Sequence, residues 1–197
     1  MLSVTPTRYP VSTLTPAPAV PALDRSPEKM TAPMTTPFPS RDELRRSGIR
    51  KDAIDGLYEI WCHAHAEAMV LAEELFDVFG DPPRPLVTLH VARGYDDEWF
   101  LSKERGEELA AMDKESHWYE VTNEQCANFQ EYFTFSDPEG WRFYMPAFLR
   151  HYLSEFPLCH RPAVHDACVT RRFFDLFSDR QIAYIDRFLK LCRTWED

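Results

Sequence analysis

Glycine is scarce in this chain and follows no pattern. The six glycines are scattered, and neither a P-loop nor a dinucleotide-binding fingerprint can be assembled from them. That removes the common phosphate cradles. A G-x-S-x-G nucleophile elbow is missing as well. No H-E-x-x-H occurs, and no glutamate stands three residues before a histidine, so neither the zinc-protease helix nor the di-iron helix is present. Cysteine is sparse. Cys62, Cys126, Cys159, Cys168 and Cys192 form no C-x-x-C pair and no regular spacing. This odd set reads as reduced thiols packed on helix faces, which predicts a cytoplasmic protein. No apolar run reaches the ~18 residues needed to cross a bilayer.

Positive charge is also in short supply. Lys and Arg number 22 against 32 Asp and Glu, for a net charge of −10. The deficit lies wholly beyond residue 39, because residues 1–39 hold three basic and two acidic side chains. An acidic protein of this kind is repelled by phosphate backbones and anionic lipid, so neither nucleic acid nor a membrane is expected as the main partner.

Proline and aromatics are what the chain has in quantity, in different places. Nine of the 16 prolines precede residue 40, among threonines, serines and alanines. Such a segment buries too little apolar surface to offset the entropy of ordering, so residues 1–39 are predicted to be a disordered leader. Met30 or Met34 is an alternative start. Residues 40–197 are predicted to be one mostly α-helical domain. Ten of the 27 aromatic residues fall between Phe129 and Phe156, which marks the centre of the core.

Helix signals run through this second part. Ser40–Glu43, Thr122–Gln125 and Ser178–Gln181 have the spacing of capping boxes. Ile54, Leu57, Trp61, Ala64, Ala68, Leu71, Leu75 and Val78 alternate spacings of three and four, a heptad seam on one long helix. Gly80 and the prolines after it end that helix. Leu86–Ala92 alternates like a strand, yet no second strand exists to pair with it, and a short helix after Thr88 is the expectation. Pro146 is expected to begin a helix with Met145, Phe148, Leu149, Tyr152, Leu153 and Phe156 on one face.

The residues that could carry chemistry are few. Glu59, Glu67 and Glu74 lie on a helix without a Lys or Arg between Asp52 and Pro83, so they form a candidate acidic face for a basic partner. Glu59, His63 and Glu67 share a side at spacings of four, which a divalent ion could use, but a solvated polar face opposite the heptad seam is the expected reading. Cys159, His160, His165 and Cys168 have zinc-capable chemistry without a zinc spacing. Asp137, Glu139, Arg142 and Tyr144 interrupt the apolar block. Arg142 is expected either to pair with Asp137 or Glu139 or to line a polar cleft. His151, with Glu155 four residues on, could serve as a general base in such a cleft, and His90, Asp96 and Asp97 are further candidates. No cofactor and no resident metal are read from the chain.

The block FSDPEGWRFYMPAFLRHYL resembles the GFRFYLPA(Y/F) signature of a bacterial family of uncharacterised proteins, a domain of unknown function. LVTLHVARGYDDEW and SHWYEV resemble the segments that precede it. The likeness runs from about Leu71 to Cys192. It implies a small, largely helical cytoplasmic protein and carries no activity with it. The functional expectation is therefore a non-enzymatic interaction domain of adaptor or immunity type, with an acidic surface meeting a basic protein. The alternatives are an enzyme with a polar cleft around Arg142, Tyr144, His151 and His90, and a metal-binding helical protein.

Overall fold

Ser40 opens the first helix by the predicted reciprocal box. Its Oγ accepts the Glu43 N–H at 3.3 Å, and the Glu43 carboxylate accepts the Ser40 N–H at 2.7 Å. The structure, a computed structural model, describes residues 37–159 and 163–195. The proline-rich leader up to residue 36 lies outside them, as does His160 of the candidate zinc set. Among the described residues nine α-helices follow in order: α1 Arg41–Arg46, α2 Lys51–Phe79, α3 Leu89–Asp97, α4 Lys103–Ala110, α5 Asn123–Asn128, α6 Tyr132–Phe135, α7 Pro138–Glu155, α8 Ala163–Thr170 and α9 Asp179–Trp195. Trp118–Glu120 and Phe174–Leu176 are 3-10 turns, and no strand occurs among the described residues.

The heptad seam of α2 is the side it buries. Ile54, Ala64, Ala68, Leu71 and Leu75 are buried, with Leu57, Trp61 and Val78 half-buried. His65 joins that side, its ring T-shaped against Phe38 and its Nδ1 3.0 Å from the Phe156 carbonyl oxygen. Phe38 is only 6% exposed, held by Tyr58, Trp61 and His65. Packing thus includes Phe38, two residues before the boundary read from composition.

α7 lies at the centre, packed on α2, α5 and α8, while α9 packs on α2 and α8. Its start differs from the expectation. Asp137 Oδ1 accepts the Gly140 N–H at 2.7 Å and Pro138 takes the first turn, where no donor is needed. The helix therefore begins eight residues before Pro146 and runs through it. Pro146 gives up one bond, to the carbonyl four residues back. Burial on all sides outweighs that loss: Trp141, Phe143, Tyr144, Met145, Phe148, Leu149, Tyr152 and Leu153 all lie within 3% of full burial. The predicted stripe is buried, and burial extends beyond it to Pro146, Ala147 and His151, which leaves Glu139 and Arg142 as the exposed positions of this helix. Gly140 is required here. A Cβ on it would stand 2.3 Å from the Tyr132 hydroxyl oxygen, so glycine lets Tyr132 lie against the first turn of α7.

The ambiguous 86–92 segment becomes helix α3 from Leu89, with Leu89, Val91 and Ala92 buried. α3 packs on α4 and on α6. Gly94 sits at the α3–α4 crossing, where Leu109 and Leu101 fill the space a Cβ would need, at 2.5 and 3.2 Å.

Candidate functional site

The polar residues that come together do so on one loop, between α4 and the first 3-10 turn. It carries Asp113 and Glu115, whose residues are 4% and 5% exposed. The Asp113 carboxylate accepts the His90 backbone N–H at 2.9 Å and stands 2.6 Å from His90 Nδ1. It thereby caps α3 from a distance, since Thr88, at the N-cap position, makes no side-chain bond there. The Thr88 hydroxyl is buried without a partner. The His90 ring rests edge-on against Phe129 at 4.8 Å.

Glu115 occupies the neighbouring position. Its Oε1 accepts the Tyr144 hydroxyl at 2.6 Å and its Oε2 receives Gln125 Nε2 at 3.4 Å. Tyr132, stacked on Phe148 beside Tyr144, donates to the Val87 carbonyl at 2.8 Å. Burial pushes the Tyr144 and Tyr132 phenols well above their ordinary range, and the nearby carboxylates add to that. Neither phenol releases its proton near neutral pH. Both act as fixed donors that tie α6 and α7 to the preceding loops.

The residues singled out from the sequence are thus divided. His90 and Tyr144 meet on the 113–115 loop. Asp137 is the N-cap of α7, its carboxyl raised by burial and held back by the Gly140 N–H. Glu139 and Arg142 are exposed, and Arg142 forms no ion pair with Asp137 or Glu139. Asp137 is instead engaged as the cap of the helix, and the Arg142 side chain faces solvent. His151 is 8% exposed two turns further along α7, near Glu155 at 3.8 Å and away from Tyr144. Burial lowers its pKa below the usual histidine value, with Glu155 opposing and Arg150 adding to the shift. The four residues of the suggested cleft do not converge on one pocket.

The acidic face of α2 is partly occupied by the chain itself. Arg187 of α9 makes two bonds to the Glu74 carboxylate, at 2.5 and 2.8 Å, which hold that carboxyl below its ordinary value. Glu67 accepts Trp195 Nε1 at 2.9 Å. Glu59 and His63 stay exposed. Among the described residues no three His, Cys, Asp or Glu side chains are grouped to hold a metal ion. A shallow groove of about 350 Å³ runs between α2 and α9, lined by Val70, Leu71, Lys190 and Leu191.

One surface feature had no warning in the periodicity. α3 and α4 are joined by a short turn in which Trp99 is 105% exposed and Phe100 80% exposed, with Tyr95 at 48% just before them. Leu101 turns inward against Gly94 instead, which leaves the two preceding rings in solvent. In the sequence the DDEWF run has no expected role beyond the candidate residues Asp96 and Asp97. The two acidic residues ahead of it, Asp96 and Asp97, were the available signal that it stays outside. Asp97, a candidate from the sequence, ends α3 beside this tip.

Geometry defines the class: an all-helical domain centred on a largely buried helix, with an internal seam of hydrogen-bonded carboxylates and an exposed aromatic tip. The chain belongs to a family of unknown function, DUF6714, whose match covers residues 67–196. That span takes in the C-terminal half of α2 and everything after it, and leaves α1 and Phe38 outside. No curated protein and no solved structure matches the chain. Among the described residues no helix is long and apolar enough to cross a membrane.

Proposed function

We propose that this protein is a non-enzymatic interaction domain of adaptor or immunity type, cytoplasmic, which engages another protein through the tip where α3 meets α4. The exposure of Trp99 and Phe100 carries the reading. Burying a Phe-sized side chain contributes about 1.5–3 kcal/mol, and this fold forgoes that gain twice at adjacent positions. Aromatic rings in solvent are the kind of anchor that interfaces use. The α2 face supports the reading less, since Glu67 and Glu74 are already bonded to α9. The free thiols of Cys62, Cys126 and Cys168 accord with a reducing compartment.

A photoreactive phenylalanine placed at position 100 of the full chain, and at exposed Glu73 as control, tests this in living host cells. A single cross-linked protein from position 100 and none from position 73 is the expected result. Equal labelling, or no adduct from position 100, overturns the reading.

One observation favours a second reading, an enzyme. A histidine oriented through Nδ1 by a buried carboxylate, as His90 is by Asp113, is a general-base arrangement. Tyr144 beside it is wholly enclosed, which leaves a substrate no approach from that side. A metabolite library tested against wild type and His90→Gln decides this reading: turnover lost only in the variant supports it.

A further inference from the structure

We infer that the partner seated on the Trp99–Phe100 tip is a positively charged segment of another protein, presenting Arg or Lys next to an apolar side chain. This inference rests on the interaction reading above and names its partner chemistry.

The charge inventory of the tip carries it. Glu98 and Glu108 are taken up by Arg105, at 2.9 and 3.3 Å, and Glu107 faces Lys103 at 3.7 Å. Arg93, the remaining cation of α3, is turned away from the tip. It lies over the Phe129 ring and bonds to Glu131 and to the Asn128 carbonyl. Asp96, Asp97 and Glu104 are exposed and make no ion pair among the described residues. The Lys and Arg side chains of α3 and α4 are therefore engaged, and three exposed carboxylates that flank the two bare rings in the sequence are not. An indole face attracts guanidinium and ammonium groups, and flanking carboxylates add to that attraction. A basic segment with an apolar neighbour satisfies both halves of the surface.

The same inventory weighs against the other occupants. A second copy would place identical uncompensated carboxylates against one another. An anionic membrane or a nucleic acid would repel them.

Selection of random twelve-residue peptides displayed on phage against the immobilised full chain tests the proposal. Binding of the selected sequences is then compared between wild type, Trp99→Ala/Phe100→Ala and Asp96→Asn/Asp97→Asn/Glu104→Gln. The expected result is enrichment of peptides with a net positive charge and an apolar residue. Their affinity should fall about 30-fold or more without the aromatic pair and about tenfold without the carboxylates. It should also weaken in high salt for wild type more than for the charge variant. Sequences that need Trp99 yet are neutral or acidic overturn the basic partner and leave the interaction reading in place. A Trp99-dependent dimer in sedimentation does the same. No Trp99-dependent sequence at all overturns both. Unchanged circular dichroism and thermal midpoint for each variant separate these outcomes from misfolding.

Discussion

The Tyr144 hydroxyl donates to the Glu115 carboxylate at 2.6 Å, with Tyr144 fully buried and Glu115 only 5% exposed. This bond joins the central helix to a loop that otherwise has no regular structure. Tyr144→Phe removes the donor and leaves Glu115 with Gln125 alone, at 3.4 Å. A buried acceptor without its partner costs about 1–3 kcal/mol. Urea denaturation of Tyr144→Phe should show a loss of that size. Glu115→Gln, which keeps an acceptor oxygen, should lose less. The double variant should lose less than the sum of the two, because the same bond is counted in each.

The second anchor of that loop is Asp113. It bonds both the His90 N–H and the His90 ring and so supplies the cap that the Thr88 hydroxyl does not. Asp113→Ala should cost about 1–2 kcal/mol, the range of a lost N-cap. Hydrogen exchange locates the effect: the amides of the first turn of α3 should lose protection before those of α2 or α7. Equal loss across all three helices would show that Asp113 supports the fold as a whole and not the start of α3.

The helices were legible in the sequence wherever a local signal existed. Ser40, Thr122 and Ser178 cap as their spacing implies, and the α2 seam faces inward along its length. The start of α7 was legible in Asp137 and Pro138, but Pro146 drew the boundary towards itself. A proline inside a helix is tolerated only when tertiary packing overrides local cost, and packing cannot be read from one strand of sequence. The seam around Asp113 and Glu115 was invisible for the same reason. Asp-Lys-Glu in a loop looks like a solvated charge run, and only the long-range approach of His90 and Tyr144 buries its two carboxylates.

Phe38 packs against α2 from outside the family match. Its ring meets Tyr58 at 5.3 Å, Trp61 at 5.5 Å and His65 at 5.9 Å. Phe38→Ala should destabilise the domain by about 3 kcal/mol, the lower end for a buried phenylalanine. Thermal melts of the full chain with and without the substitution check this. A shift as small as that of an exposed control such as Met112→Ala would refute it.

His151 should make stability depend on pH. Its Nδ1 has no hydrogen-bond partner, and burial holds its folded pKa below the unfolded value. In the window between the two, the unfolded chain binds more protons than the folded one. Stability therefore rises with pH through that window and levels off above the ordinary histidine pKa near 6.5. Acidification below that value should weaken the fold, and His151→Gln should flatten the profile over the same range. Urea midpoints at a series of pH values measure it. An unchanged slope in the variant would move the effect to another histidine.

The turn between α3 and α4 separates two kinds of residue that the sequence presents as equals. Trp99 and Phe100 are exposed, so Trp99→Ala/Phe100→Ala should change the unfolding free energy by no more than about 0.5 kcal/mol. Gly94 is small but constrained. A Cβ there would meet Leu109 Cδ1 at 2.5 Å and Leu101 Cδ1 at 3.2 Å. Gly94→Val should force the two helices apart and cost about 1–3 kcal/mol. It should also disturb the aromatic tip, because the inward turn of Leu101 is what holds the two rings outward. Indole NMR signals report both effects in one experiment. In Gly94→Val the Trp99 resonance should shift, while those of Trp141 and Trp118, buried elsewhere in the core, stay in place. If the Trp99 signal holds still while the stability falls, the tip's exposure does not depend on the α3–α4 crossing.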